Sequence, residues 1–162
     1  MLVVAGLWLG LLFASWAIAS ATFRTVDRVL AEGRPEVVER LAGIPEADRR
    51  LVLRHVASEV NRWMFGGWAV AQVALGAVAV ALTWRAGGAA RWLAAAALAV
   101  VLGQALGLGP AIRDLGRAVD FTPRPLPSPV AGRFGMLHGA YVLLDFAKAA
   151  LVAALAWLAA RH

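Results

Sequence analysis

His138, Tyr141, Asp145 and Lys148 are spaced three, four and three residues apart inside a stretch, Phe134 to Ala160, with no other charged residue. At about 100° per residue they fall within one narrow wedge of a helix. Lys148 is the only lysine of the chain; the other fixed cations are fifteen arginines, all outside the apolar runs. A carboxylate and an ammonium three positions apart can pair on one helix. Burial penalises both charges, so such a pair can also exchange a proton. Two readings follow. The pair fixes helix register and is structural, or it belongs to a proton or solute pathway. An ionisable group at the centre of a bilayer costs at least about 2.5–3.5 kcal/mol, so the stripe is expected to face the interior of a bundle.

The elements that hold this stripe are set by composition. Apolar residues make up 61% of the 162 residues and charged residues 16%, which is rare for a soluble domain. About 20 apolar residues cross a bilayer. Four runs reach that length, near 2–22, 63–84, 92–112 and 134–160. The expectation is an all-α integral membrane four-helix bundle forming a single domain over 1–162. Gln72 and Gln104 lie at depths comparable to Asp145, which predicts a polar core of Gln72, Gln104, His138, Tyr141, Asp145 and Lys148. Gly6 and Gly10, Gly103 and Gly107, and the group Gly66, Gly67, Gly132, Gly135 and Gly139 suggest close helix approach.

His138 has two readings. It bonds a neighbouring helix near the membrane edge, or it ligates haem b iron, since imidazole is a common axial ligand. The second reading lacks an obvious partner, because His55 lies about seven residues before the second span and would have to fold back. No zinc, phosphate-loop or catalytic-triad pattern is present. No metal site, no catalytic residue and no cofactor other than that haem alternative is expected, and the reading leans away from an enzyme. There is no cysteine, so disulfides and thiolate metal sites are excluded.

The net charge of +6 does not point to nucleic acid. Arg24, Arg28, Arg62, Arg113, Arg117 and Arg133 all sit just beyond span ends on one common side, and no other basic face exists. The first and third connections hold twelve of the fifteen arginines. That bias predicts cytoplasmic connections and periplasmic termini in a bacterial inner membrane. The six named arginines are candidates for contact with anionic lipid head groups or another anion. Ala19-Ser20-Ala21 resembles a cleavage site, but nothing basic precedes Leu2 and the apolar run is long, so the first span is expected to be retained.

The first connection, 23–62, is predicted to be helical. The first helix should stop near Gly33, a short helix should run from Pro35 to Gly43, and another should start at Pro45. In the last, Val52, Val56, Val60 and Trp63 form an apolar stripe, so it should lie along the inner surface or continue into the second span. Pro123, Pro125, Pro127 and Pro129 make 121–130 an extended strap. Trp63, Trp84, Trp92 and Trp157 fit interface positions, with Gly87 and Gly88 at the tip of the outer turn, while Trp16 and Trp68 read as packing residues.

Three short pieces carry a resemblance to a known family: Ala21-Thr22-Phe23-Arg24-Thr25, Pro110-Ala111-Ile112-Arg113 and Phe134-Gly135-Met136-Leu137-His138-Gly139. On them the chain resembles the bacterial branch of the transmembrane protein 205-like family, a four-span domain of unknown function. In that family the histidine is followed at three and seven by small polar residues; here those positions hold Tyr141 and Asp145, and Lys148 is added. The layout is similar to copper-resistance membrane proteins and to a haem-containing protoporphyrinogen oxidase family, a similarity that keeps the haem alternative open. The expected role is a small inner-membrane protein of transporter or accessory type, in contact with the lipid bilayer and free to form a homo-oligomer or join a membrane complex. The alternatives are a haem-binding redox protein and a structural subunit.

Overall fold

No proline interrupts Leu2 to Glu32, and these 31 residues form the first helix, α1. Pro35 ends it, because a residue before proline is pushed out of the helical region, and Arg34 is extended. The computed structural model describes residues 1–85 and 87–161. A short α2 spans Pro35–Leu41. Beyond Pro45, α3 runs unbroken over Glu46–Trp84, with Glu46 and Asp48 in a first turn whose dipole favours acids. Its 39 residues reach about 58 Å, roughly twice the hydrocarbon thickness of a bilayer. The third-span helix comprises α4 (Gly88–Gly103), a π-turn (Gln104–Leu108) and α5 (Gly109–Ala118). The last helix, α6, covers Ser128–Ala159.

All the regular structure among the described residues is helical, and four helices are long and apolar enough to cross a membrane. The chain is an all-α, multi-pass membrane bundle. Its four long helices pack in a closed ring: α1 against α3 and α6, and α4 against α3 and α6. A short connection joins α3 to α4. Gly87 and Gly88 have φ of 71° and 64°, the left-handed region where a side chain is costly. The strap is shorter than its prolines suggest: α6 starts at Ser128, so Pro129 sits in the first turn, where a missing N–H costs nothing.

The core is built on Trp8 and Leu12 of α1, Ala79 of α3, Ala94, Ala97 and Val101 of α4, and Val152 and Leu155 of α6. Trp8 is fully buried. Gly76 makes room for it: a Cβ there would lie 2.8 Å from Leu98 Cδ1 and 3.2 Å from Trp8 Cη2. The glycines expected to bring helices together do not. A Cβ on Gly6, Gly10, Gly66, Gly67, Gly103, Gly107, Gly132, Gly135 or Gly139 would meet nothing within 4 Å. Trp63, Trp84, Trp92 and Trp157 are exposed, as interface residues should be.

The first half of α3 is turned opposite to a soluble amphipathic helix. Val52, Val56, Val60 and Trp63 point outward, while Ala57 and Asn61 are buried. The polar face of this segment therefore looks into the protein.

Candidate functional site: a buried ion pair at the end of a basic cavity

Asp145 and Lys148 share one face of α6 and are almost completely shielded, at 2% and 0% exposure. Lys148 Nζ donates to Asp145 Oδ1 at 2.7 Å. Gln104 completes the group from the third-span helix. Its Nε2 donates to Asp145 Oδ1 at 2.9 Å and to the Tyr141 carbonyl at 3.1 Å, and its Oε1 accepts from Lys148 Nζ at 2.8 Å. Trp16 closes the other side, with Nε1 donating to Asp145 Oδ2 at 2.9 Å. The carboxylate thus takes three donors from three helices, and the pair as a whole carries no net charge.

The π-turn aims Gln104. Pro110 has no N–H, and in a regular helix its ring would press on the carbonyl four residues earlier. The chain inserts one extra residue, and the Gly109 N–H reaches back five positions to the Gln104 carbonyl. Only glycine fits there, since a Cβ on Gly109 would lie 2.9 Å from that oxygen. Trp16 is aimed by packing. Phe13 stands edge-on to its ring at 5.3 Å and Phe146 lies tilted against it at 4.9 Å.

The expected polar core is therefore corrected in two members and enlarged by one. Gln104, Asp145, Lys148 and the backbone of Tyr141 come together. Gln72 is buried on α3, but its Oε1 finds no partner and it is not hydrogen-bonded into the group. His138 is exposed, stacked on Phe134 at 6.1 Å, about two turns outside the pair. Trp16, read from sequence as a packing residue, is a direct ligand of the carboxylate. No sequence signal linked it to a residue 129 positions away.

A cavity of about 980 Å³ leads from the arginine-rich end of the bundle to this group. Gln104 and Tyr141 form its deep end and His138 part of its wall. It stops one hydrogen bond short of the ion pair. Its lining carries five arginines (Arg50, Arg54, Arg62, Arg113, Arg124) against two aspartates (Asp48, Asp120), a balance of +3. Of the six arginines expected to meet anions, only Arg62 and Arg113 line it; Arg24, Arg28, Arg117 and Arg133 are exposed elsewhere. Arg50 pairs with Asp27 at 3.0 Å.

A second cluster fastens the strap. Asp120, just past α5, accepts from Arg62 Nη2 on α3 and lies 3.1 Å from His55 Nδ1. Arg62 also bonds Glu59, and the His55 ring packs on Phe121 at 4.8 Å. His55, Glu59 and Asp120 bring ligand atoms within 4.8 Å of one another, the spacing of a metal site. The Arg62 guanidinium bonds both carboxylates, so the place a cation would take already holds a positive charge. Sequence reading had no route to His55 and Asp120 as neighbours, 65 positions apart. On the strap, partial burial and the neighbouring Arg54 guanidinium hold Arg124 below the ordinary arginine pKa, with Asp120 acting the other way.

Compared with models of protein families, with curated proteins and with solved structures, the chain matches none.

Proposed function

We propose that this chain is a small bacterial inner-membrane protein of transporter type, in which the basic cavity is the solute path and the Asp145–Lys148 pair the charge-handling element. One observation carries the reading: the cavity ends at Gln104, and Gln104 is hydrogen-bonded to both members of the pair. A purely structural pair would be served by an apolar seal around it. Here the cavity's deep end includes an amide that must break two hydrogen bonds to the pair if its side chain turns. Intramembrane ionisable residues facing an aqueous cavity commonly mark substrate or proton paths. A π-turn at the gating residue is in keeping with this, since such turns gather at functional sites.

Orientation follows from the arginine bias. The end with the cavity lies in the cytoplasm, and both termini lie in the periplasm. A haem on His138 is the weaker reading. His138 stands on the cavity wall, but His55, the only other histidine among the described residues, is tied through Nδ1 to Asp120 on a separate cluster.

The test is reconstitution. Purified protein in liposomes loaded with a pH-sensitive dye is given a pH gradient. Wild type should dissipate it faster than empty liposomes, and Asp145→Asn, kept only if monodisperse, should not. Equal rates for wild type and empty liposomes would end the proton-path reading and leave the accessory or subunit role.

A further inference from the structure

We infer that the basic cavity binds an anionic amphiphile, a phosphate or carboxylate head with an apolar chain, supplied by the lipid bilayer. The inference rests on reading the cavity as the solute path and names the class of solute.

The first argument is charge. Arg50 has Asp27, and Arg62 has Asp120 and Glu59. Arg54, Arg113 and Arg124 are in no ion pair among the described residues, yet all three line the cavity. Arg54 Nε is buried without a hydrogen-bond partner, and its guanidinium sits 5.8 Å from the centre of the Phe23 ring. A desolvated donor left unpaired costs free energy, and a charged one costs more. An anion removes that cost, because guanidinium groups bind phosphate and carboxylate in bidentate, charge-assisted pairs.

The second argument is the rotation of α3. The valine face of Val52, Val56 and Val60 is turned out, and Arg54 and Asn61 are turned in. A helix packed against the protein in water would turn the valines in and the arginines out. The inward arginines gain their stabilisation from something the cavity receives.

The third argument is the rest of the wall. Beyond the arginines the lining is largely apolar, with Phe23, Phe65, Ile112, Val119 and Phe134 leading toward Tyr141. A small hydrated anion gains nothing from that surface. A chain attached to the anion does. The volume, about 980 Å³, stands at the upper end of the roughly 300–1,000 Å³ common for ligand sites.

The experiment is a binding titration in nanodiscs of phosphatidylcholine with three probes: dodecyl phosphate, a neutral dodecyl glycoside and inorganic phosphate. Dodecyl phosphate should raise the thermal midpoint and saturate; the other two should not. Arg54→Gln and Arg124→Gln should each weaken it about tenfold, the loss of one charge-assisted contact. Arg124 lies on the strap, where folding is least at risk. Arg40→Gln on exposed α2 removes the same charge outside the cavity and should bind as wild type. Equal response to the neutral glycoside, equal affinity for phosphate alone, or equal weakening by Arg40→Gln would each overturn the inference; equal affinity for phosphate alone would assign a free small anion in place of a lipid. Binding needs no flux, so binding without proton movement would overturn the transporter reading and leave this one standing.

Discussion

Trp16 Nε1 reaches Asp145 Oδ2 at 2.9 Å from a helix at the other end of the chain, and among the described residues it is the one hydrogen bond joining α1 to the buried ion pair. A hydrogen bond to a charged acceptor is worth about 1.5–3 kcal/mol in soluble proteins, while double-mutant cycles between membrane helices average about 0.6 and reach about 1.7, the upper end being expected for a charged acceptor. Trp16→Phe keeps the packing on Phe13 and Phe146 and removes the donor. Its cost is best read in a cycle, introduced once into wild type and once into Asp145→Leu/Lys148→Met, where the acceptor is gone. The difference between the two, which cancels the loss of volume, should be about 1–2 kcal/mol by thermal or denaturant unfolding in detergent. A coupling near zero would mean that the indole only packs.

The two members of the pair should behave as one unit. Asp145→Leu strands a buried ammonium and Lys148→Met a buried carboxylate, and each should lower stability by about 3–5 kcal/mol. The double variant Asp145→Leu/Lys148→Met removes both charges and should recover most of that loss. Proton movement in liposomes should stay absent in the double variant despite its recovered stability. Recovery of both stability and flux would show that the pair takes no part in the function.

How much of this was legible in the sequence depends on what carries the signal. The four spans follow from hydropathy and length, and the Asp145–Lys148 face follows from a spacing of three within one helix. Gln104 was reachable because it lies at the right depth. Gln72 met the same test, but depth does not fix rotation about the helix axis: it is buried with its Oε1 unpartnered and bonds neither member of the pair. The π-turn had a local cause in Gly109-Pro110, but a proline in an apolar run does not say which side chain the extra residue will re-aim. The arginine bias was visible, while the inward turn of Arg54 was not. The apolar stripe at Val52, Val56 and Val60 argued for the opposite face, since in water that face would be the buried one.

Asp120 ties the strap to α3, and removing it should loosen that region alone. In Asp120→Ala, Arg62 keeps Glu59 while His55 loses its only described partner. The loss should be about 1–3 kcal/mol of local stability. Amide exchange over 119–122 should quicken while α4 and the end of α6 stay protected. If exchange quickens equally across the bundle, the cluster supports the whole fold.

The π-turn makes the sharpest prediction about register. In an ordinary exposed helix position, glycine to alanine stabilises by about 1 kcal/mol. Gly107→Ala should follow that rule, since a Cβ there meets nothing within 4 Å. Gly109→Ala should do the reverse by about 1 kcal/mol or more, because its Cβ would press on the Gln104 carbonyl 2.9 Å away. Deleting Leu106, which is 78% exposed, takes out the inserted residue. The Gly109 N–H then reaches Gln104 as an ordinary i to i+4 bond; α4 and α5 keep their faces, and only the residues of the turn itself, Gln104 among them, change direction. The protein should still fold, with Gln104 re-aimed and proton movement lost. Deleting Ala97, buried within α4, would instead turn the rest of the helix by about 100° and should yield no monodisperse protein. If the two deletions behave alike in size exclusion and thermal unfolding, the turn is a local accident of the proline and does not hold Gln104 against the pair.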